Sequence, residues 1–185
     1  MGNDMQIILE AFPNVLADDI KSIFKIIDLK SQIFPQDDFE VQVDNELLKI
    51  PYRIYYDEPD SDLEDKLSLV QKQILDCIFT RHNDGYIRQK RLNNLFIRGS
   101  IQKWIIPYVA KLMGEYVVEI IEDIYRNIEL INQEELKEFV LNNTKFYTTI
   151  EGRIASYWGE YYMTYSRKNE YVGFKIQKYI SSLRK

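Results

Sequence analysis

The sequence predicts a mainly α-helical protein: a compact multi-helix domain around a long buried helix at about 101–128, with one β-hairpin at about 39–56 packed on it. Three observations carry that expectation. Glycine (7) and proline (5) are scarce among 185 residues, which suits long helices better than many short strands joined by turns. From Ile101 through Trp104, Ile105, Tyr108, Leu112, Tyr116, Ile120, Ile124 and Ile128 the apolar residues stay in helical phase, in a stripe too wide for a surface helix. The clearest period-two alternation lies at "FEVQVDNELLKI". A single domain, 1–185, is expected, with an N-terminal helical and hairpin part at 1–66 and a helical core at 67–185.

Along the chain, Ile7, Ile8, Phe12, Leu16, Ile20, Ile23, Phe24 and Ile27 recur at three- and four-residue steps. They predict helix over 5–34, divided at Pro13 and ended by Pro35. In the hairpin, Asp44-Asn45 offers a two-residue turn that places Val41 opposite Leu48, Phe39 opposite Ile50 and Glu40 opposite Lys49. Pro51 in the second arm marks an edge strand or a bulge. An acidic connector, 57–66, follows, its acids gathered before a helix N-terminus. A helix from Leu63 to Phe79 and a second from about Tyr86 to Phe96 flank "RHNDG". Beyond the 101–128 stretch, with Pro107 in its first turn and Trp104 in its apolar stripe, come a shorter helix from Gln133 to Leu141 and a tyrosine-rich helical stretch from Ile154 to Tyr165. Gly173 separates the last helix from that stretch or begins it.

The net charge of −5 conceals alternating blocks. Residues 1–70 carry 16 acids against 6 bases, and 71–103 carry 2 against 7; 104–140 return to 8 against 3, and 141–185 to 3 against 8. Such blocks are read first as complementary faces of one domain, and second as a basic patch for a polyanion or an acidic partner.

Several chemistries lack their residues. Cys77 is the only cysteine, so no internal disulfide forms, and its apolar neighbours make it a buried, inert thiol. No Cys/His cluster offers a zinc site, the 60–71 segment fails the calcium-loop pattern at Asp65 and Gln71, and no glycine-rich phosphate loop occurs. No metal and no cofactor is expected. The segment "MGNDMQIILEAF" lacks a signal-peptide pattern and no apolar run reaches membrane-spanning length, so a cytoplasmic protein without a membrane partner is expected.

The densest polar stretch is "FTRHNDGYIRQKRLNNL", residues 79–95, which holds the only histidine. Its spacing reads as helix, hinge and helix: Phe79 in the core, Asp84 and Gly85 opening the second helix, Leu92 and Leu95 returning to the core. Arg81, His82, Lys90 and Arg91 are placed on its outer side. With Arg88 they are the candidate partner-binding residues, while Asp84, Gly85, Trp104 and Pro107 are given structural roles.

Asp84-Gly85-Tyr86-Ile87-Arg88 with Leu92 and Leu95, followed by Ile106-Pro107-Tyr108-Val109 and Leu112, resembles a HEAT-type helical repeat unit over about residues 68–113. The resemblance implies that Asp84 caps the second helix, that Arg88 pairs with an acid, and that the protein is a binding scaffold. The first functional reading is therefore a non-enzymatic protein–protein interaction, adaptor or immunity-type protein. The alternative is a nucleic-acid-binding protein that uses a helix-turn-helix-like basic segment, 81–103, and the basic Tyr-rich C-terminal block. The third is an enzyme centred on His82, for which the sequence supplies no partner residues.

Overall fold

Asp44 and Asn45 set the register of the only sheet among the described residues. β1 (Asp38–Val43) and β2 (Glu46–Pro51) pair antiparallel around them, with Phe39 facing Ile50, Glu40 facing Lys49 and Val41 facing Leu48, as the two-residue turn requires. Asp44 takes the positive φ, 49°, that its short polar side chain tolerates. Val41, Leu48 and Ile50 are buried, whereas Glu40 and Lys49 stand exposed and 4.0 Å apart. So open an ion pair contributes little, and the apolar face holds the hairpin. The second arm ends at Pro51 instead of continuing to 56, because proline has no N–H to extend the ladder.

This computed structural model describes residues 2–27 and 38–184. The expected helix end at Pro35 lies outside them. The chain divides into two compact units, Met1–Arg98 and Gly99–Lys185. Mainly α-helical with one small hairpin is the class observed.

In the first unit, α1 (Gly2–Glu10) and α2 (Ala17–Ile23) flank Pro13 and a single 3-10 turn, Asn14–Leu16. Strand β2 lies on α1, and α2 lies on the helix Leu69–Phe79. The helix expected over 63–79 is two helices. A four-residue α3 (Ser61–Glu64) is capped by the Asp60 carboxylate, and α4 (Leu69–Phe79) begins afresh at Ser68. The restart has a local cause. The Ser68 hydroxyl accepts from the Gln71 N–H at 3.2 Å while the Gln71 side chain accepts from the Ser68 N–H at 3.1 Å, a reciprocal capping box. Opposite α4 packs α5 (Gly85–Arg98), whose first turn is capped by Asp84 Oδ1 accepting from the Tyr86 N–H at 2.8 Å. α5 ends at Gly99, whose φ of 70° gives the left-handed close common to helix C-termini.

In the second unit the single helix expected over 101–128 is corrected. A 3-10 turn at Lys103–Ile105, which contains Trp104, leads into α6 (Ile106–Leu112) with Pro107 in its first turn. The chain breaks over 113–117 and resumes as α7 (Val118–Asn127). Phase alone could not reveal the break. Every residue of α6 is buried, Lys111 included, so burial singles out no face there and the segment satisfies any phase. α6 packs against α7, α8 (Gln133–Asn142) and α9 (Thr144–Tyr157), which makes it the centre of this unit. α9 runs into a π-helical turn, Trp158–Tyr162, and α10 (Val172–Leu183) closes the unit against α7, α8 and α9.

At Gly173, the second residue of α10, the helix backbone comes close to Ile154 of α9. A Cβ there would stand 2.7 Å from Ile154 Cγ2 and 2.7 Å from the Tyr171 ring. Gly173→Ala is therefore expected to destabilise the protein by about 1–3 kcal/mol, the usual cost of forcing a methyl into a packed core. Thermal unfolding checks this; an unchanged midpoint would mean that α10 shifts freely on α9.

Candidate functional site

Phe79 to Leu95 is the stretch the sequence singles out, and Thr80, Arg81, His82, Arg88 and Arg91 turn inward. Arg81, Arg88 and Arg91 are 0%, 0% and 1% exposed and His82 is 8% exposed. The expectation that Arg81, His82 and Arg91 lie on the outer side is corrected; of the five candidate partner-binding residues, only Lys90 is exposed.

The reason is that residues 52–58 run past the hinge and bond to it. The Ile54 N–H donates to the Arg81 carbonyl at 2.9 Å and the Asn83 N–H donates to the Ile54 carbonyl at 3.1 Å, a short parallel bridge. His82 adds its ring. Nδ1 accepts from the Asp84 N–H at 3.0 Å, which leaves the proton on Nε2, facing the Tyr56 carbonyl at 3.0 Å. The imidazole is held in one orientation and stacks on Phe79 with ring centres 5.9 Å apart. Arg88 donates to the carbonyls of His82 and Asn83 at 3.0 and 2.9 Å, satisfying two acceptors of the turn between α4 and α5. The Arg81 guanidinium lies 5.9 Å over the Phe39 ring.

Beside this hinge three carboxylates converge on one guanidinium. Arg91 Nη2 stands 2.6 Å from Glu58 Oε1, and Nη1 stands 2.9 Å from Glu64 Oε2 and 3.1 Å from Asp76 Oδ1. Arg98 joins through Nε at 2.6 Å from Asp76 Oδ2 and Nη2 at 3.2 Å from Glu64 Oε1. Lys90 closes the outer edge on Glu58 at 3.1 Å. Three acids thus face three bases, and Asp76 and Arg91 are shut away from water.

The electrostatics follow from burial and partner. Burial pushes the Asp76 carboxyl above its ordinary value, against the pull of Arg98 and Arg91. At Glu58 burial also raises the carboxyl, but hydrogen bonds from Lys90 and Arg91 outweigh it and hold the group below its ordinary value. At Arg91, burial opposes the cation, and Glu64 and Asp76 outweigh it. The Cys77 thiol, fully enclosed, is pushed well up by burial and then by Asp76, as suits an inert core thiol. What the carboxylates hold is a side chain of their own unit; among the described residues no group of three or more His, Cys, Asp or Glu side chains is arranged to hold a metal ion.

This cluster was not foreseen, although Asp76 carries a signal. It is a lone acid inside "ILDCIF", where the α4 phase turns it inward, and a buried carboxylate demands a cation.

A second constellation lies in the Gly99–Lys185 unit. Tyr116, Tyr157, Tyr161, Tyr162 and Tyr171 form a ladder with successive ring centres 6.1, 6.1, 6.3 and 5.3 Å apart. The π-turn creates it: one extra residue per turn brings 161 and 162 onto the same side as 157. The Tyr162 hydroxyl donates to the Tyr116 carbonyl at 2.7 Å, and Trp158 Nε1 donates to the Ser166 carbonyl at 3.1 Å, folding the 158–166 segment back on itself. Tyr116 is 47% exposed, Tyr161 53%, Met163 59% and Tyr165 87%. The sequence showed the tyrosines at helical spacing but not the π-turn that aligns them.

No protein-family model, no curated protein and no solved structure matches this chain. Among the described residues no helix is long and apolar enough to cross a membrane.

Proposed function

We propose that the chain is a non-enzymatic protein-binding protein, of the adaptor or immunity type, whose docking face is the tyrosine ladder of its second unit. One observation carries this reading: Tyr116, Tyr161, Met163 and Tyr165 stand open on the surface, and Tyr116 and Tyr161 belong to a run of ring contacts that passes through Tyr157 and Tyr162 to the buried Tyr171. Tyrosine and methionine are enriched in interface cores, because they give large contact area at small entropic cost. The resemblance of 68–113 to a HEAT-type unit agrees with a scaffold.

The nucleic-acid reading loses its strongest support. In the 81–103 segment Arg91 and Arg98 are held by Glu58, Glu64 and Asp76, Lys90 by Glu58, and Lys103 by Glu138 at 3.0 Å. Little of that segment's charge is left for phosphates, on which such binding depends. An enzyme centred on His82 is disfavoured in the same way, since both ring nitrogens are engaged by backbone groups.

The test is affinity capture from the native host with wild-type protein and the Tyr161→Ala/Tyr165→Ala variant. A stoichiometric protein recovered with the wild type and reduced about tenfold with the variant is expected, since two central aromatics typically carry that much binding energy. Recovery of no such protein, or equal recovery by both, would remove this reading.

A further inference from the structure

Behind Tyr162 the ladder opens into a cleft of about 520 Å³ between α7 and the chain that leads into α10. Its walls include Tyr125, Tyr162 and Tyr171, with Glu122 and Glu170 at the rim. That volume suits one or two side chains and lies within the usual range of ligand sites.

Two cations also line the cleft, and both are committed. Arg126 Nη2 is 2.5 Å from Asp123 Oδ1. Lys175 holds its ammonium over the Tyr125 ring, 5.9 Å from the centre. The cleft thus already uses its aromatic wall to hold a cation, one from its own chain. Among the lining residues Glu122 and Glu170 match Arg126 and Lys175 in number; Asp123, outside the lining, neutralises Arg126 and leaves the two glutamates against Lys175, with Glu170 also accepting from the Arg167 N–H at 3.2 Å. Glu119 and Glu122 also act on Tyr162: burial pushes its hydroxyl up against a hydrogen bond with the Val118 backbone, and the two acids add to the rise. The surroundings are aromatic and net acidic, the combination that favours ammonium and guanidinium groups.

We propose that this cleft receives a lysine or arginine side chain from a basic segment of the partner protein. This rests on the protein-binding reading above and names the chemistry of what docks. The incoming cation lies over Tyr125, its N–H groups donate to the Glu122 and Glu170 carboxylates, and the remainder of the segment runs over the exposed tyrosines. Lys175 is a competitor for the same ring.

The competition supplies a test of sign. Binding of octalysine, octaglutamate and a mixed-sequence single-stranded DNA is measured by calorimetry at moderate salt. The proteins are wild type, Tyr125→Leu, Glu122→Gln, Lys175→Met and, as a remote exposed acid on α8, Glu134→Gln. Octalysine is expected to bind wild type and to weaken about fivefold in Tyr125→Leu and in Glu122→Gln, the scale of one cation–π or rim-carboxylate contact. It is expected to change less than about twofold in Glu134→Gln and to bind more tightly in Lys175→Met, because the ring is freed. Three results would overturn the proposal: equal weakening in Glu134→Gln, which signals general charge attraction; weaker binding in Lys175→Met; or preference for octaglutamate or DNA. If host capture still depends on Tyr161 and Tyr165 while the peptide arms fail, the cleft assignment falls and the protein-binding reading stands. If the peptide arms succeed and no partner is captured, the cleft's preference for a cation stands, while the protein-binding reading and the partner segment that rests on it fall.

Discussion

Arg91→Met is expected to cost about 3–5 kcal/mol of stability, the penalty for removing one partner of a buried charge cluster. Methionine is near in length and apolar, so the loss is not one of volume. It strands Asp76, which is 0% exposed, with Arg98 as its remaining cation, and leaves Glu64 with Arg98 alone at 3.2 Å. It also removes the guanidinium that lies 5.2 Å over the Phe79 ring. Arg91→Lys should recover only part of the loss, because a single ammonium cannot serve Glu58, Glu64 and Asp76 from the fixed fork that guanidinium provides. Urea unfolding followed by far-ultraviolet circular dichroism reads the shift in midpoint. A change no larger than that from an exposed substitution such as Lys21→Ala would show that the cluster is not holding the unit together.

Phe79→Ala is expected to cost a similar amount, about 3–5 kcal/mol, for a different reason. The Phe79 ring is fully buried between the His82 imidazole and the Arg91 guanidinium. Truncation opens a cavity at the turn from α4 to α5 and removes the surface that keeps both groups in place. Phe79→Leu, which refills most of the volume, should cost clearly less. The discriminating readout is amide hydrogen exchange at Ile54 and Asn83, whose N–H groups bond across the hinge. Both should exchange faster in Phe79→Ala. Unchanged protection there would separate the ring from the bridge it is argued to support.

Periodicity was sufficient where one face is wet and the other dry. The hairpin register, down to Glu40 against Lys49, follows from alternation and a two-residue turn because a slip of one residue would turn Val41 and Leu48 outward. Periodicity failed where burial is complete, as in α6, and where a side chain restarts a helix, as at Ser68. The cap was readable: Ser68 and Gln71 have the spacing of a capping box just before an apolar run. The candidate site was harder. Arg81, His82 and Arg91 were seen as unusual and wrongly placed outward, and an arginine such as Arg91 reads alike at a helix surface and in a core until its acids are known. Those acids sit 15 to 33 residues away, two of them in a segment that reads as a solvated connector. Long-range pairing leaves no local pattern. The same holds for the tyrosine ladder, which depends on a π-turn that helical spacing does not announce.

The division at Arg98 has an optical consequence. The chain has two tryptophans, Trp104 and Trp158, and both belong to the Gly99–Lys185 unit. Indole emission therefore reports directly on that unit, and the Met1–Arg98 unit has no indole of its own. Trp158 is bonded to Ser166 and its ring centre lies 5.7 Å from that of Phe174, within the segment that leads into α10. Its emission is thus an intrinsic probe of the region around the cleft, whereas events at the ion cluster around Arg91 call for a signal from the peptide backbone.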